Sequence, residues 1–221
     1  MKVIIFTTFI IVALSTMLVS QSRYGITIGG GTSRIDNYKL YFNRNINNGP
    51  YDVIDYPYEN LISWNVGFYY IKSYQKSDID FGGEFLLNGM GAYIPFDSKI
   101  EADGTVSYQD SFKERLIYLS VPLFLRYNVG NCWFLQGGIT NSILISKPPK
   151  PENWSDTKPY DLGGNLAFGV RLFPKINIEI QGYHSLIRIN HVDETIEEMY
   201  DNRLFNSSIT VSLKYELGQR N

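Results

Sequence analysis

Polar and apolar residues alternate strictly along residues 161–172 of the chain, which read DLGGNLAFGVRL. Alternation with a period of two places the two sets of side chains on opposite faces of a β-strand. One face carries the apolar residues Leu162, Leu166, Phe168, Val170 and Leu172. The other carries Asp161, Gly163, Asn165, Ala167, Gly169 and Arg171. The same pattern recurs along most of the sequence, so it predicts an all-β chain.

The repeated pattern predicts about eight strands and a regular difference between their connections. The predicted strands are 23–34, 61–72, 78–90, 116–128, 132–146, 160–172, 176–187 and 203–217. Short turns are predicted at 73–77, 129–131 and 173–175, and long connections at 35–60, 91–115, 147–159 and 188–202. Short turns at one rim and long loops at the other are typical of outer-membrane barrels, whose short turns face the periplasm. We therefore predict a single closed, antiparallel, up-and-down transmembrane β-barrel domain over residues 23–217 in the bacterial outer membrane.

The predicted outward face is bulky and apolar. It comprises Ile62, Trp64, Val66, Phe68, Tyr70, Ile79, Phe81, Phe85, Leu87, Leu119, Val121, Leu123, Leu125, Tyr127, Ile176, Ile178, Ile180, Ile209, Val211, Leu213 and Tyr215. Amphipathic rings gather where hydrocarbon meets water. The rings predicted at the short-turn ends are Tyr24, Tyr70, Tyr127, Trp133 and Tyr215. These positions predict an aromatic girdle at the periplasmic interface.

The predicted inward face consists mostly of small residues. It includes Gly25, Gly29, Gly31, Ser63, Gly67, Gly82, Ser120, Gly138, Gly163, Gly169, Ser208 and Ser212. An eight-stranded barrel leaves a lumen that side chains just fill, or room for one small ligand. A soluble lipocalin-like barrel with the faces reversed is the alternative, but it would crowd the bulky residues into that lumen. Recurring glycine pairs and Pro122 indicate bends or bulges within strands.

Composition adds a targeting segment and excludes several classes of protein. Residues 1–20 combine Lys2 with an apolar run, which predicts a signal peptide. The small residues Ser20 and Ser22 offer a cleavage site. A retained membrane anchor is the alternative for this segment. The formal net charge of −2 gives no reason to expect a nucleic-acid partner. The single cysteine, Cys132, excludes an internal disulfide framework.

Four stretches of sequence resemble a known family. They are Phe81–Leu87 with an inward Glu84, Tyr118–Tyr127 with its internal proline, Phe134–Gly138, and the strand at 161–172. In this order they are similar to the PorT-like outer-membrane β-barrel family of Bacteroidota, and Ser120 stands where that family commonly has Glu. The resemblance covers nearly the whole mature chain and implies a barrel in the outer membrane. Most members have no assigned activity, so it implies no mechanism.

Charged residues collect on the predicted inward face. They are Asp80, Glu84, Arg126, Asp161, Arg171, Glu179, Lys214 and Glu216. Paired carboxylates such as Asp80 and Glu84 can share acid–base work. Isolated buried charges are very costly, however, so we expect a network of salt bridges, with Arg126 paired to Asp80, Glu84 or another inward acid. With only His184 and His191 available, we expect no metal site and no cofactor.

Two further features bear on function. His184 and Ser185 are similar to the histidine and serine of barrel enzymes that modify lipopolysaccharide acyl chains, although neighbouring strand residues face opposite ways. The first loop carries Tyr38, Tyr41, Phe42, Tyr51, Tyr56 and Tyr58, and the third carries Pro148, Pro149, Pro151 and Pro159 around Trp154. Exposed aromatic residues on a rigid scaffold suit recognition of glycans or proteins, and the alternative is that they cap the barrel.

The sequence therefore favours a non-enzymatic outer-membrane barrel with no catalytic, cofactor-binding or metal-binding residues. Its partners would be the lipid bilayer and, through the surface loops, glycans or proteins. A lipid-modifying enzyme and a soluble ligand-binding barrel are the alternatives. A diffusion pore fails on size unless several chains assemble, because such pores need about 16 strands.

Overall fold

The computed structural model of the 221-residue chain describes residues 20–36, 39–42, 52–55, 59–74, 77–100, 106–147, 158–189 and 205–220. The expected signal peptide lies outside the described residues, apart from the backbone of Ser20. The described residues also leave out the aromatic side chains of the first loop. They leave out Pro148, Pro149, Pro151, Trp154 and His191 as well. Within the described residues, no helix is long and apolar enough to cross a membrane.

The described chain is all β. The strands are β1 (Ser20–Asp36), β2 (Lys39–Phe42), β3 (Asp52–Asp55), β4 (Glu59–Tyr74), β5 (Ile79–Ile100), β6 (Val106–Val129), β7 (Trp133–Ser146), β8 (Tyr160–Phe173), β9 (Ile176–Ser185) and β10 (Phe205–Arg220). Eight of them form a closed barrel in the order β1-β10-β9-β8-β7-β6-β5-β4, and β2 pairs with β3 in a separate small sheet. Each barrel strand is antiparallel to both neighbours, and β1 closes the barrel against β10. The predicted closed up-and-down barrel is thus confirmed.

The connections confirm the predicted asymmetry with one correction. Short connections join β4 to β5, β6 to β7 and β8 to β9, and Gly130 adopts φ +65° in the second of them. A left-handed φ suits glycine because it carries no Cβ. The predicted long connection 91–115 is wrong, since β5 and β6 continue pairing as far as Ile100 and Val106.

The two faces of the wall are confirmed in the predicted orientation. The outward residues Ile62, Phe68, Leu125 and Ile209 are 71, 63, 58 and 62% exposed, whereas inward polar residues of the same strands are buried. All of the predicted girdle residues, Tyr24, Tyr70, Tyr127, Trp133 and Tyr215, are exposed at the short-turn ends of their strands. Apolar side chains cover the convex surface, so the reversed arrangement of a soluble lipocalin-like barrel is excluded.

The lumen is fuller than the small inward residues predict. Large side chains also point inward, namely Tyr69, Leu86, Tyr118, Phe124 and Phe134. Glycines make room for three of these rings on the neighbouring strand: Tyr69 lies opposite Gly25, Phe124 opposite Gly82, and Phe134 opposite Gly169. A Cβ at any of the three glycines would overlap the facing ring. The glycines therefore admit rings into a narrow barrel.

Pro122 does not form the predicted bulge. The register between β5 and β6 is the same on both sides of it, since Gly83 pairs with Leu123 and Leu86 with Ser120. Only the ladder pairing opposite Glu84 and Phe85 is interrupted. Proline has no N–H to donate, which accounts for the gap without any inserted residue.

Candidate functional site

The half of the lumen nearest the short turns contains a network of buried charges, which we call the lower network: Arg23, Asp80, Glu84, Arg126, Glu179 and Lys214. The Lys214 ammonium donates to both Glu179 carboxylate oxygens at 2.9 Å and to Glu84 Oε1. Arg126 Nη2 donates to Glu179 Oε2 at 3.4 Å. All four side chains are at most 2% exposed. The expected salt-bridge network is confirmed, and the partner of Arg126 is Glu179.

Neutral groups complete the lower network. Arg126 donates to Gln136 Oε1 from Nε and Nη2 at 3.3 and 3.0 Å, and its guanidinium lies 3.9 Å from the centre of the Phe134 ring. Cation–π contact of this kind stabilises a charge that has left water. Phe124 lies 5.7 Å from both Arg126 and Lys214. The inward rings thus line the charged network.

Asp80 belongs to the rim of the network, although it pairs directly opposite Arg126 in the β5–β6 register. Arg23 Nη2 donates to Asp80 Oδ2 at 2.7 Å, and Asn128 Nδ2 donates to the same oxygen at 3.0 Å. Sequence reasoning missed Arg23. The alternation could have found it, because Arg23 directly precedes the outward Tyr24 and therefore points inward.

The long-connection half of the lumen contains a second, largely neutral group, which we call the upper cluster: Tyr118, Asp161, Ser185 and Asn206. Asp161 Oδ2 accepts from Ser185 Oγ at 2.9 Å and from Asn206 Nδ2 at 3.0 Å. Asn206 Nδ2 also donates to Tyr118 OH at 3.0 Å. A carboxylate held by neutral donors can remain buried without a cation beside it.

Apolar side chains close the lumen above the upper cluster. Ile35, Met90, Leu116, Tyr118 and Ile189 form one buried core with Ala92. Ile189 follows β9, and its carbonyl accepts from the Lys158 N–H at 2.6 Å. Partial burial lowers the pKa of the Lys158 ammonium, and the nearby Arg188 lowers it further. The segments flanking β8 and β9 therefore fold over the mouth.

Little space remains between the two groups. A cavity of about 30 Å³, bordered by Ser63, Thr140, Ser142 and Gln181, lies in the middle of the barrel. Its volume holds about two water molecules, since each needs roughly 10–15 Å³. Ser120 also lies here and shares a 2.8 Å hydrogen bond with Ser142, so a hydroxyl pair stands where the resembling family has a carboxylate. The described lumen is packed and contains no channel.

His184 and Ser185 point to opposite faces of β9. Ser185 is buried and bonded to Asp161, whereas His184 is exposed on the outer wall, with Nδ1 2.8 Å from Ser207 Oγ. The two are therefore no catalytic pair, and their adjacency gives no support to a lipid-modifying enzyme. Within the described residues, no three His, Cys, Asp or Glu side chains gather closely enough to hold a metal ion.

The remaining candidates lie at the rims. Arg171 is half-buried and, with Arg23 and Asp80, borders an open vestibule of about 300 Å³ at the short-turn end. Cys132 is exposed in the turn that precedes β7. Glu216 is 6% exposed on the inward face of β10, as predicted.

Comparison with known proteins identifies the family. The family model described as outer membrane protein beta-barrel domain matches residues 17–190. The chain belongs to this family. Its apolar wall accordingly lies in the lipid of the outer membrane. No curated protein matches the sequence.

Solved barrels with low sequence identity are also similar to the chain. Ail, the attachment invasion locus protein of Yersinia pestis, solved with the heparin analogue sucrose octasulfate, is 14% identical, with a TM-score of 0.46, over 90% of this chain and 100% of that one. A second structure of Ail is 12% identical, with a TM-score of 0.42 over the same shares of the two chains. The deltaS2S3 mutant of TodX, a monoaromatic hydrocarbon channel, is 12% identical, with a TM-score of 0.28, over 78% of this chain and 48% of that one.

Proposed function

We propose that this protein is a non-enzymatic, PorT-like scaffold of a Bacteroidota outer membrane, exported by the signal peptide at residues 1–20. It binds glycan or protein partners through the structures at its long-connection rim. The four family-like stretches support the PorT-like assignment, because they occur in the expected order in β5, β6, β7 and β8.

The projecting hairpin of β5 and β6 carries this proposal. Pairing of β4 with β5 ends at Tyr93, and pairing of β6 with β7 ends at Ile117. Residues 94–100 and 106–112 then pair only with each other. Seven residues per strand extend the hairpin by about 23 Å at ~3.3 Å per residue. A rigid ribbon of this length above the barrel suits contact with another molecule.

Both edges of the hairpin lack a neighbouring strand within the described residues. Unpaired N–H and C=O groups along such an edge are a template for an added strand, a common mode of peptide recognition. The side chains that fill the described lumen support the same role, since they occupy the space through which a solute would diffuse. Binding at the surface is then the function that the geometry favours.

Shortening the hairpin tests the proposal. Tyr93 and Lys113 are cross-strand partners, so replacing residues 94–112 with Asn-Gly joins them through a two-residue turn that suits a hairpin. We expect the shortened protein to keep its heat-modifiable mobility in gels but to lose binding to glycan arrays and cross-linking to envelope proteins in intact cells. A second variant lacking residues 37–58 separates the hairpin from the first loop.

Two outcomes would contradict the proposal. The first is a folded, shortened hairpin that binds and cross-links as the unaltered protein does. The second is steady ion conductance of the full protein in planar bilayers, which would make it a channel.

A further inference from the structure

A row of polar residues crosses the outer wall near the long-connection rim. Gly164 pairs with His184, His184 with Ser207, and Ser207 with Arg34, so these residues form one continuous cross-strand line on β8, β9, β10 and β1. We call it the outer row. His184 and Arg34 are exposed, and the imidazole stacks on the Phe205 ring at 6.0 Å. The wall of a membrane barrel is normally apolar at this face, so a polar line needs an explanation.

The height of Arg34 on the barrel places the β1 end of the outer row at the lipid headgroups. Arg34 lies ten positions after the girdle residue Tyr24 on β1. A strand tilted by about 40° rises roughly 2.5 Å per residue along the barrel axis, so the two are about 25 Å apart in height. The apolar band of such barrels is also about 25 Å tall. With Tyr24 at the periplasmic interface, Arg34 lies where the outer leaflet exposes its headgroups.

An open groove lies directly below the outer row. Its volume is about 760 Å³, and its lower border is the next cross-strand line, Leu166, Gly182, Ile209 and Thr32. Gly182 and Gly164 leave the floor empty: a Cβ at Gly164 would meet no atom within 4 Å, and one at Gly182 only a carbonyl at 4.0 Å. Leu166 and Ile209 rise beside this floor and are 74 and 62% exposed. The floor between Leu166 and Ile209 is apolar, which suits a hydrocarbon chain.

A second groove on the outer wall differs from the first in the chemistry of its lining. It has a volume of about 590 Å³, and the outward side chains around it include Leu125, Leu135 and Phe168. Its outward lining is aliphatic and aromatic throughout, so it can accept any acyl chain. The groove below the outer row adds an outward cation, Arg34, to an apolar floor. That combination selects for a lipid with an anionic head.

We propose that the outer row and its groove bind a phosphorylated, multiply acylated lipid of the outer leaflet, of the lipid A type. One acyl chain lies over Gly182 between Leu166 and Ile209. A phosphate at the headgroup contacts the Arg34 guanidinium and accepts one hydrogen bond from the pair of His184 and Ser207, whose side chains share a hydrogen bond with each other. Basic residues at the headgroup level attract anionic lipids in this way.

Lipid titration of the folded full-length protein in detergent tests the site. The probes are diphosphoryl lipid A, dephosphorylated lipid A and phosphatidylglycerol, and native mass spectrometry counts the bound lipid. We expect diphosphoryl lipid A to bind about tenfold tighter than phosphatidylglycerol, and Arg34→Gln to weaken it about fivefold, as expected for one basic residue near phosphate. Arg34→Gln should leave the dephosphorylated lipid unaffected. Gly182→Leu, which fills an open floor, should weaken both forms of lipid A.

Lys175→Gln is the matched control, because it removes a cation from the exposed turn at the opposite rim. Heat-modifiable mobility shows that each variant is folded before it is titrated. The proposal is overturned if Lys175→Gln weakens binding as much as Arg34→Gln, or if folded Gly182→Leu binds lipid A as the unaltered protein does. Equal affinity for phosphatidylglycerol and diphosphoryl lipid A would also overturn it.

Discussion

The two ends of the lumen are buried to the same degree and are held together by different chemistry. In the lower network, Arg126 and Lys214 share Glu179. In the upper cluster, Asp161 is held by the hydroxyl of Ser185 and the amide of Asn206. A buried charge pair stabilises the fold only while both charges remain. A carboxylate held by neutral donors can be replaced by an uncharged acceptor that keeps the same hydrogen bonds. The comparison therefore separates a region that depends on charge balance from one that depends on hydrogen bonds.

Removing the cation that two acids share should break the lower network. Lys214→Met leaves Glu84 and Glu179 without the ammonium that both contact, and we expect a loss of about 3–5 kcal/mol in the free energy of unfolding. The double variant Lys214→Met, Glu84→Gln should recover part of the loss, since Arg126 still balances Glu179. Urea titration of folding into lipid vesicles measures both. Equal stability of the single and double variants would contradict the charge-balance account.

The outer wall gives the next effect, and it tests which face meets lipid. Leu123 is 38% exposed on β6, four residues before the girdle residue Tyr127 and on the face opposite Arg126. Leu123→Arg should cost about 2–4 kcal/mol if the site lies near the bilayer midplane. The same vesicle titration measures it, and Asn131→Arg, in an exposed turn, is the control with the same added charge. A harmless Leu123→Arg would contradict the orientation of the wall.

The alternation of polar and apolar residues could predict the outward and inward faces, because each outward residue contacts lipid and is apolar. It could not predict the length of β5 and β6. Beyond Tyr93 the hairpin pairs without neighbouring strands, so its residues need not alternate. Strand pairing continues beyond the position where lipid contact ends. The alternation of polar and apolar residues follows lipid contact and not strand pairing.

The composition of the inward face was predictable, but its pairing was not. Asp80 and Arg126 are directly opposite in register, yet Asp80 accepts from Arg23 and Arg126 contacts Glu179 across the lumen. Long side chains in a narrow barrel reach beyond their cross-strand neighbour, so closure of the barrel decides the partner. The inward rings Tyr69, Phe124 and Phe134 were missed for a related reason, because each depends on a glycine of an adjacent strand.

A methyl group on an inward glycine should separate ring packing from charge pairing. A Cβ on Gly169 would overlap three carbons of the Phe134 ring, and that ring supports Arg126. We expect Gly169→Ala to cost about 1–3 kcal/mol through overpacking. A double-mutant cycle with Phe134→Leu should show coupling between the two sites. Unfolding in urea from vesicles supplies the free energies.

The outward Gly182 is the matched control for this prediction. A Cβ there would have open space, so Gly182→Ala should be neutral or stabilise by about 0.4–1 kcal/mol, because it reduces the entropy of the unfolded chain. It should show no coupling to Phe134→Leu. Equal destabilisation by the two alanines would mean that strand propensity, and not the ring, sets the cost.

The smallest effect is expected in the upper cluster, where charge can be removed without removing an acceptor. In Asp161→Asn the new amide oxygen can still accept from Ser185 and Asn206, and the NH2 group replaces Oδ1, which has no hydrogen-bond partner among the described residues. One unpaired buried atom therefore replaces another, and the two remaining hydrogen bonds lose the strength that the charge gives them. We expect the free energy of unfolding to change by no more than about 1 kcal/mol.

Glu179→Gln alters one carboxylate in the same way, but it leaves Arg126 and Lys214 with one acid fewer to share. It should therefore lower the free energy of unfolding by roughly 2 kcal/mol or more. Vesicle titrations of the two variants side by side decide the matter, because both are isosteric and both sites are buried. If Asp161→Asn proved as costly as Glu179→Gln, the upper cluster would depend on charge as the lower network does, and the contrast between the two ends of the lumen would fail.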